Sequence, residues 1–325
     1  MVAPVNEAIR PDDILKQLSA YWTNLGADHG SPEQKTESGG LLRACSMTLI
    51  CFADDEEDPD LLSEMLASLM REHPSRLIVV RLRDGDDELT ARASSQCWMP
   101  FAHRRQICCE QVEVTASINR LADAASIVAP LAAPDLPRVI VLRSARIVRA
   151  GALRKVLALG DKIIVDSSRR GAPGFGEIGG LLDAGHITGD LAWTRLTPIR
   201  ALLAQLLENR QPADIIIEYA GKEAGPEARY LQAWLQTALP NAFISLRGNG
   251  LPPDDCNADE GKPAVVRVDR DIVVRLCPGG AEYDTGAMRL RASMPPGTEE
   301  MLLNEELGIV VHDRVFERAL NHITA

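Results

Sequence analysis

A short polar loop, Ser167–Gly171, carries residue types that are suited to binding an anion. It follows the apolar segment Lys162–Val165, which is typical of a buried strand, and it precedes a segment expected to be helical. Backbone amides at the start of a helix attract negative charge, and hydroxyl and guanidinium groups bind phosphate or carboxylate. The candidate ligands are Ser167, Ser168, Arg169 and Arg170. The alternative interpretation is an ordinary solvated turn.

A glycine pattern follows this loop, because Gly174, Gly176 and Gly179 match the G-x-G-x-x-G spacing of dinucleotide-binding turns. In such turns the first glycine directly follows a strand, and the pyrophosphate lies at the N-terminus of the next helix. Here seven residues separate Asp166, at the end of the predicted strand, from Gly174. No apolar strand follows at the expected distance. We therefore interpret the match as a coincidence and predict no cofactor site.

Two runs of like charge occur in the first half of the chain. Asp54–Asp58 reads DDEED. Clustered carboxylates can bind a divalent cation, but they more commonly complement a helix dipole, so we predict no metal site. Arg138–Lys155 contains six cations and no acid. These cations can steer an acidic partner, with contacts at Arg143, Arg146 and Arg149. The alternative is a solvated edge that nearby acids balance.

Catalytic motifs are not found in the sequence. It contains no G-x-S-x-G, no G-x-x-x-x-G-K-[ST] and no H-E-x-x-H pattern, so no class of catalysis gains positive support and we assign no catalytic residues. The seven cysteines are odd in number and form no C-x-x-C pair. We expect them to be reduced thiols.

The elements that must position these residues alternate between strands and helices. Cys45–Ala53 and Arg76–Arg83 are apolar and predict strands. The helix between them is expected to begin at Asp58, a capping residue, and to end near His73, because the residue before Pro74 avoids helical angles. Strand, helix and strand within so short a stretch indicate a parallel crossover unit.

The same alternation continues along the chain, and it predicts the α/β class. We expect two α/β domains with mixed or parallel sheets flanked by helices. Residues 1–40 are predicted to form an N-terminal helix and linker, residues 41–165 the N-terminal α/β domain, and residues 166–325 the C-terminal α/β domain. Leu89–Trp98 and Gln106–Thr115 are expected to pair as a hairpin in the first of these domains.

Composition excludes several classes of partner. The 325 residues carry a net charge of −11 and only 4% aromatic residues, whereas nucleic-acid binding needs a surplus of positive charge and often aromatic platforms. No apolar run is long enough to cross a bilayer. The first ten residues lack the apolar core of a signal peptide. We expect a cytoplasmic protein that binds neither nucleic acid nor a membrane.

Six sequence blocks together resemble the glucose-6-phosphate dehydrogenase assembly protein family (OpcA). The two most specific segments are CCEQVEV, within Gln96–Ala116, and DLAWTRLTP, within Gly189–Ala204. The other blocks are Arg43–Asp58, Arg71–Leu82, Ala133–Ser144 and Lys162–Ser168. The resemblance covers roughly residues 40–320 and is weakest between 245 and 300. Ile199 departs from the aromatic residue that the family carries after its Thr-Pro pair.

The resemblance implies a bacterial, non-catalytic protein of the pentose phosphate pathway. Such a protein binds glucose-6-phosphate dehydrogenase and acts as an allosteric activator by favouring its active oligomer. Contacts are expected at Trp193 and Arg195, since Trp and Arg dominate interface energetics; for Trp193 the alternative is a core anchor. Two other functions stay open. One is a sugar-phosphate- or nucleotide-binding enzyme with a site near Ser167–Gly171. The other is a passive scaffold that binds without changing activity.

Overall fold

The computed structural model describes residues 10–28, 41–85, 88–99, 106–248, 259–295 and 297–325. The linker predicted before residue 41 lies outside the described residues. The chain divides into two compact units. The first runs to Val165 and includes Leu307–Val310, and the second comprises Asp166–Glu306 and Val311–Ala325. Both units combine a sheet with helices, which confirms the α/β class.

Within the described ranges, the first unit contains seven strands, five helices and two short 3₁₀ turns. The strands are β1 (Leu41–Arg43), β2 (Met47–Asp54), β3 (Ser75–Arg83), β4 (Leu89–Trp98), β5 (Gln106–Ser117), β6 (Arg138–Leu142) and β7 (Lys162–Val165). The helices are α1 (Pro11–Asp28), α2 (Pro59–Glu72), α3 (Leu121–Val128), α4 (Ala145–Val148) and α5 (Leu153–Leu157), and the 3₁₀ turns are Ile118–Arg120 and Ala129–Leu131.

The strands of the first unit form a largely parallel sheet in the order β1-β5-β3-β2-β6-β7. Strand β4 is antiparallel to β5, as the predicted hairpin requires. Strands β2 and β3 are buried along nearly their whole length, as expected for apolar interior strands of a parallel sheet. The parallel crossover predicted from the strand–helix–strand pattern is therefore confirmed.

Helix α2 begins and ends where the sequence predicts. The Asp58 carboxylate accepts a hydrogen bond from the amide of Asp60 at 2.9 Å, and Pro59 is the first helical residue. The helix stops before His73, the residue that precedes Pro74. Its buried side chains lie on one face and are Leu62, Leu66, Leu69 and Met70.

The expectation that all the cysteines are reduced thiols is wrong. Cys97 and Cys108 face each other across the β4–β5 pair and are joined by a disulfide. Their Cα atoms lie 4.1 Å apart, a separation that opposed strands impose and that cysteine counting does not reveal. Cys45, Cys51 and Cys109 are not disulfide-bonded. Burial raises the pKa of Cys109 to about 11.

The second unit contains seven described strands and six described helices. The strands are β8 (Ile187–Asp190), β9 (Asp214–Tyr219), β10 (Phe243–Gly248), β11 (Pro263–Val268), β12 (Ile272–Cys277), β13 (Gly280–Asp284) and β14 (Arg289–Ser293). The helices are α6 (Phe175–Asp183), α7 (Leu191–Thr194), α8 (Thr197–Leu207), α9 (Pro226–Ala238), α10 (Glu299–Leu307) and α11 (Arg314–Thr324).

Six of these strands form a mixed sheet in the order β10-β9-β11-β12-β13-β14. Strands β9 and β10 are parallel and enclose α9 in sequence, whereas the other neighbours are antiparallel. Helix α9 packs on β9 and β10 and also contacts α11. Among the helices that the structure describes, none is long and apolar enough to cross a membrane.

Candidate functional site

The loop after β7 binds carboxylates of its own chain. The Ser168 amide donates a hydrogen bond to Asp166 Oδ1 at 3.1 Å, and the Ser168 hydroxyl donates to the same oxygen. The Ser167 amide donates to Asp190 Oδ1 at 3.0 Å. Arg169 pairs with Glu299 at 3.4 Å, and Arg170 is exposed. The groups predicted to receive an external anion are thus largely engaged by internal acids.

Arg195 binds two carboxylates and a hydroxyl of this region. Its guanidinium donates to Asp166 Oδ2 at 3.0 Å, to the Ser168 hydroxyl at 2.9 Å and to Glu227 Oε1 at 3.0 Å. The Asp166 and Glu227 side chains are almost fully buried. Burial alone opposes ionisation of Asp166, but the hydrogen bond and charge of Arg195 outweigh it and hold the pKa of this carboxyl below its usual value. Arg195 therefore neutralises two buried carboxylates at once.

Asp190 forms the second centre of this polar cluster. It lies at the end of β8, is completely buried, and caps α7 by accepting a hydrogen bond from the Ala192 amide at 3.0 Å. The Tyr230 hydroxyl donates to its other oxygen at 2.8 Å. Burial raises the pKa of Asp190 to about 6, although these hydrogen bonds favour the ionised form. It also raises the pKa of Tyr230 well above its ordinary value.

Trp193 is a core residue, and its placement favours the alternative of a core anchor over a partner contact. Its side chain is only 3% exposed. The ring packs edge-on against Tyr230 and tilted against Phe316, each at 5.8 Å between centroids. The Arg200 guanidinium lies 3.7 Å above the ring centroid. The indole nitrogen donates to Asp313 Oδ2 at 3.1 Å. The physical reason is the size of the indole, which closes the core of the second unit.

The glycine pattern lies in a helix start and not in a dinucleotide-binding turn. Gly174 is the residue before α6, and its amide donates to the Glu177 carboxylate at 2.8 Å. A Cβ atom at Gly176 would meet nothing within 4 Å. In a dinucleotide site these glycines lie in the tight turn directly after a strand, whereas here residues 166–173 separate Gly174 from the end of β7. This agrees with the interpretation of the match as a coincidence.

The acidic and basic runs of the first unit pair with each other. Arg143 binds Glu57 at 2.8 Å, and Arg146 binds Asp54 at 2.8 Å. The two runs follow β2 and β6, which are parallel neighbours, so their ends meet at one edge of the sheet. Arg149 is exposed and forms no ion pair with any described residue. The nearby acids thus balance Arg143 and Arg146, and Arg149 is the accessible member of the three.

The residues Asp166, Ser168, Asp190, Arg195, Glu227 and Tyr230 form a polar cluster whose hydrogen bonds and ion pairs join the loop after β7 to α7 and α9. Its carboxylates and Tyr230 are buried, whereas Ser168 is exposed. Each carboxylate has donors within hydrogen-bond distance. Sequence reasoning missed Asp190, Glu227 and Tyr230, since nothing in their local spacing marks them. A signal was present only for Asp166, an acid that directly follows the apolar segment of KIIVDSS. Within the described ranges, no group of three or more His, Cys, Asp or Glu side chains is arranged to hold a metal ion.

Comparisons with known proteins cover both parts of the chain. Residues 67–176 match the model of the glucose-6-phosphate dehydrogenase subunit N-terminal domain (OpcA), and residues 187–320 match that of its C-terminal domain. A protein of Synechocystis sp. that bears the name OxPP cycle protein OpcA is 25% identical over 180 residues. That match covers 54% of this chain and 37% of the relative, so the chain spans well under two thirds of the relative's length.

Similar solved structures include biliverdin reductase from Synechocystis sp., with 8% identity and a TM-score of 0.48 over 85% of this chain and 96% of that one. A 3-ketoreductase from Actinomadura kijaniata has 6% identity and a TM-score of 0.47 over 85% and 95%. At these low scores neither structure supports a conclusion about activity or ligands. The two domain models together match well over half of the sequence, and the chain therefore belongs to the OpcA family of glucose-6-phosphate dehydrogenase subunits.

Proposed function

We propose that this chain is a non-catalytic, cytoplasmic assembly factor that binds glucose-6-phosphate dehydrogenase and favours its active oligomer. The observation that carries the proposal is the match of both halves of the chain to domains described as a subunit of that dehydrogenase. The name of the Synechocystis relative adds the OxPP cycle as the metabolic setting. On this proposal the protein shifts the equilibrium between the inactive and active forms of the dehydrogenase and catalyses no reaction of a metabolite.

The geometry of the polar cluster supports a role in folding rather than catalysis. General acids and bases must reach a substrate proton directly or through one water. Asp190 instead has no exposed surface and is held by Ser167, Ala192 and Tyr230. The alternative of a sugar-phosphate- or nucleotide-binding enzyme with its site near Ser167–Gly171 loses support, because the amides of Ser167 and Ser168 already bind carboxylates.

Activation requires differential binding. A partner shifts an equilibrium between inactive and active forms only by as much as it prefers the active one. A preference of about 1–3 kcal/mol changes the ratio of the two forms by roughly 5- to 150-fold. Such a preference needs a surface that recognises an arrangement found only in the active oligomer.

Mixing the purified chain with the cognate dehydrogenase tests the proposal. Sedimentation velocity is expected to show a complex and a larger dehydrogenase oligomer, and the apparent substrate affinity or maximal rate should change in parallel. Binding without any kinetic change would support the passive scaffold and contradict activation. Absence of a complex at micromolar concentrations of both proteins would contradict the proposal as a whole.

A further inference from the structure

A polar cavity of about 670 Å³ lies within the second unit, and none of its lining residues belongs to the polar cluster. One face of α9 forms its wall through Arg229, Gln232 and Gln236. The loop between β9 and α9 contributes Lys222 and Glu223, and Tyr219 at the end of β9 and His322 of α11 complete the polar lining. Cavities of roughly 300–1,000 Å³ are the size that metabolites occupy in proteins.

The loop that carries Lys222 and Glu223 is fixed by backbone hydrogen bonds. The Gly225 amide donates to the Gly261 carbonyl at 2.9 Å, and the Gly261 amide donates to the Ala220 carbonyl at 2.7 Å. A Cβ atom at Gly225 would lie 3.0 Å from the Gly261 carbonyl oxygen, so this contact depends on glycine. The wall of the cavity is thus already ordered, which lowers the entropic cost of binding a ligand.

Positive charge in this cavity is not neutralised internally. Lys222 and Arg229 are both exposed, and neither forms an ion pair with any residue of the described chain. This contrasts with Arg143, Arg146 and Arg195, which bind carboxylates of their own unit. Lys222 on the loop and Arg229 on α9 are therefore the cations of this lining that can pair with a phosphate group.

The remaining polar groups match hydroxyls. The Gln232 amide donates one hydrogen bond to the Ile244 carbonyl at 3.1 Å, which leaves its second N–H and its oxygen for a ligand, and the Gln236 amide offers donors and an acceptor. The Tyr219 hydroxyl donates to the Lys222 carbonyl at 3.3 Å and so holds the loop. The Glu223 carboxylate only accepts hydrogen bonds when ionised, so it would repel a bare anion but accept hydrogen bonds from sugar hydroxyls. A lining with cations, amides and one carboxylate therefore fits a phosphorylated polyhydroxy compound better than a simple anion or an apolar ligand.

We propose that this cavity binds a sugar-sized phosphate ester, with Lys222 and Arg229 holding the phosphate and Gln232, Gln236 and Glu223 binding hydroxyls. The proposal assigns a ligand site and no reaction. It is separate from the proposed function, because binding is measured on this chain alone, without the dehydrogenase.

The experiment is titration calorimetry of the full chain with glucose 6-phosphate as the probe, and with inorganic phosphate and glucose as separate arms. Saturable binding of the ester, tighter than that of either part, is expected. The Lys222→Ala/Arg229→Ala variant should bind at least about tenfold more weakly, since charge-assisted hydrogen bonds are lost. The matched control Arg154→Ala/Lys155→Ala removes the same two charges from exposed positions of α5 in the first unit and should bind like the wild type.

Three results would overturn the proposal. They are the absence of binding tighter than about 1 mM to the unaltered chain, equal affinity for phosphate and the ester, and an equal loss in the control variant. Thermal unfolding of both variants without ligand shows whether they are folded. A Glu223→Gln variant that binds inorganic phosphate as before but the ester more weakly would support the assignment of Glu223 to hydroxyls. Unchanged ester binding in that variant would contradict it.

Discussion

Among the individual residues of the second unit, Asp190 combines complete burial with a titratable group. Its folded pKa, about 6, lies above the ordinary value of 3.8. The folded state therefore binds a proton more readily than the unfolded state between these pH values. The stabilisation that comes from this raised pKa is fully present below about pH 4 and is lost as the pH rises through 6. It amounts to at most about 3 kcal/mol of unfolding free energy.

The variant Asp190→Asn removes this titration while keeping the hydrogen-bond geometry. Its carbonyl oxygen can accept from the Ser167 and Ala192 amides, and its amide can donate to the Tyr230 oxygen. We expect the unfolding free energy of the wild type, relative to the variant, to be larger at pH 5 than at pH 7. Urea denaturation at the two pH values measures this difference. Parallel pH profiles for the two proteins would show that Asp190 does not titrate in this range.

Arg195 allows a second test at the same scale. The variant Arg195→Ala leaves Asp166 and Glu227 buried without their cation, and breaking a buried pair in this way costs about 3–5 kcal/mol. The control Arg210→Ala breaks an exposed pair with Asp271, whose partners are 42% and 51% exposed, and should cost no more than about 1 kcal/mol. Urea midpoints compare the two variants. Equal losses would mean that the Arg195 contacts are not formed in the protein.

At the scale of elements, helix capping and apolar patterning made some helices and strands predictable, but they did not reveal which strands are neighbours. The start of α2 at Pro59 and the apolar strands β2 and β3 follow from capping and burial alone. The pairing of Arg143 with Glu57 depends on β2 and β6 being neighbours. Strand order is set by the whole sheet, so opposite charges far apart in sequence gave no local sign that they meet. The bond between Tyr230 and Asp190 was hidden for the same reason.

Helix α11 is attached at its N-terminus by Asp313. One carboxylate oxygen accepts from the amides of Val315 at 2.9 Å and Phe316 at 3.1 Å, while the other accepts from the Trp193 indole. The variant Asp313→Ala loses both functions and is expected to cost about 2 kcal/mol. Asp313→Asn keeps the capping oxygen and should lose less. Thermal unfolding ranks the variants, and an equal loss for both would contradict a capping role.

At the scale of the whole molecule, the net charge does not show which charged side chains can interact with a partner protein. The chain carries −11 overall, yet the cations Arg143 and Arg146 are committed to acids of the same unit. A cation that is paired with a carboxylate adds little to the field at a distance, because the two charges largely cancel, so unpaired charges contribute most to steering another protein. In the basic segment of the first unit, Arg149 meets this condition within the described chain, and with it Arg154 and Lys155.

Charge reversal at Arg149 therefore tests whether the basic segment contacts the dehydrogenase in the proposed complex. Arg149→Glu should leave thermal stability unchanged but slow association several-fold and reduce its salt dependence, because rim charges act mainly on the association rate. Arg143→Glu should instead destabilise the first unit, since it places a second carboxylate beside Glu57. Arg270→Glu makes the same charge change at an exposed turn of the second unit and serves as the control. Stopped-flow association at two salt concentrations measures the effect, and identical rates for Arg149→Glu and Arg270→Glu would exclude the basic segment as the docking surface.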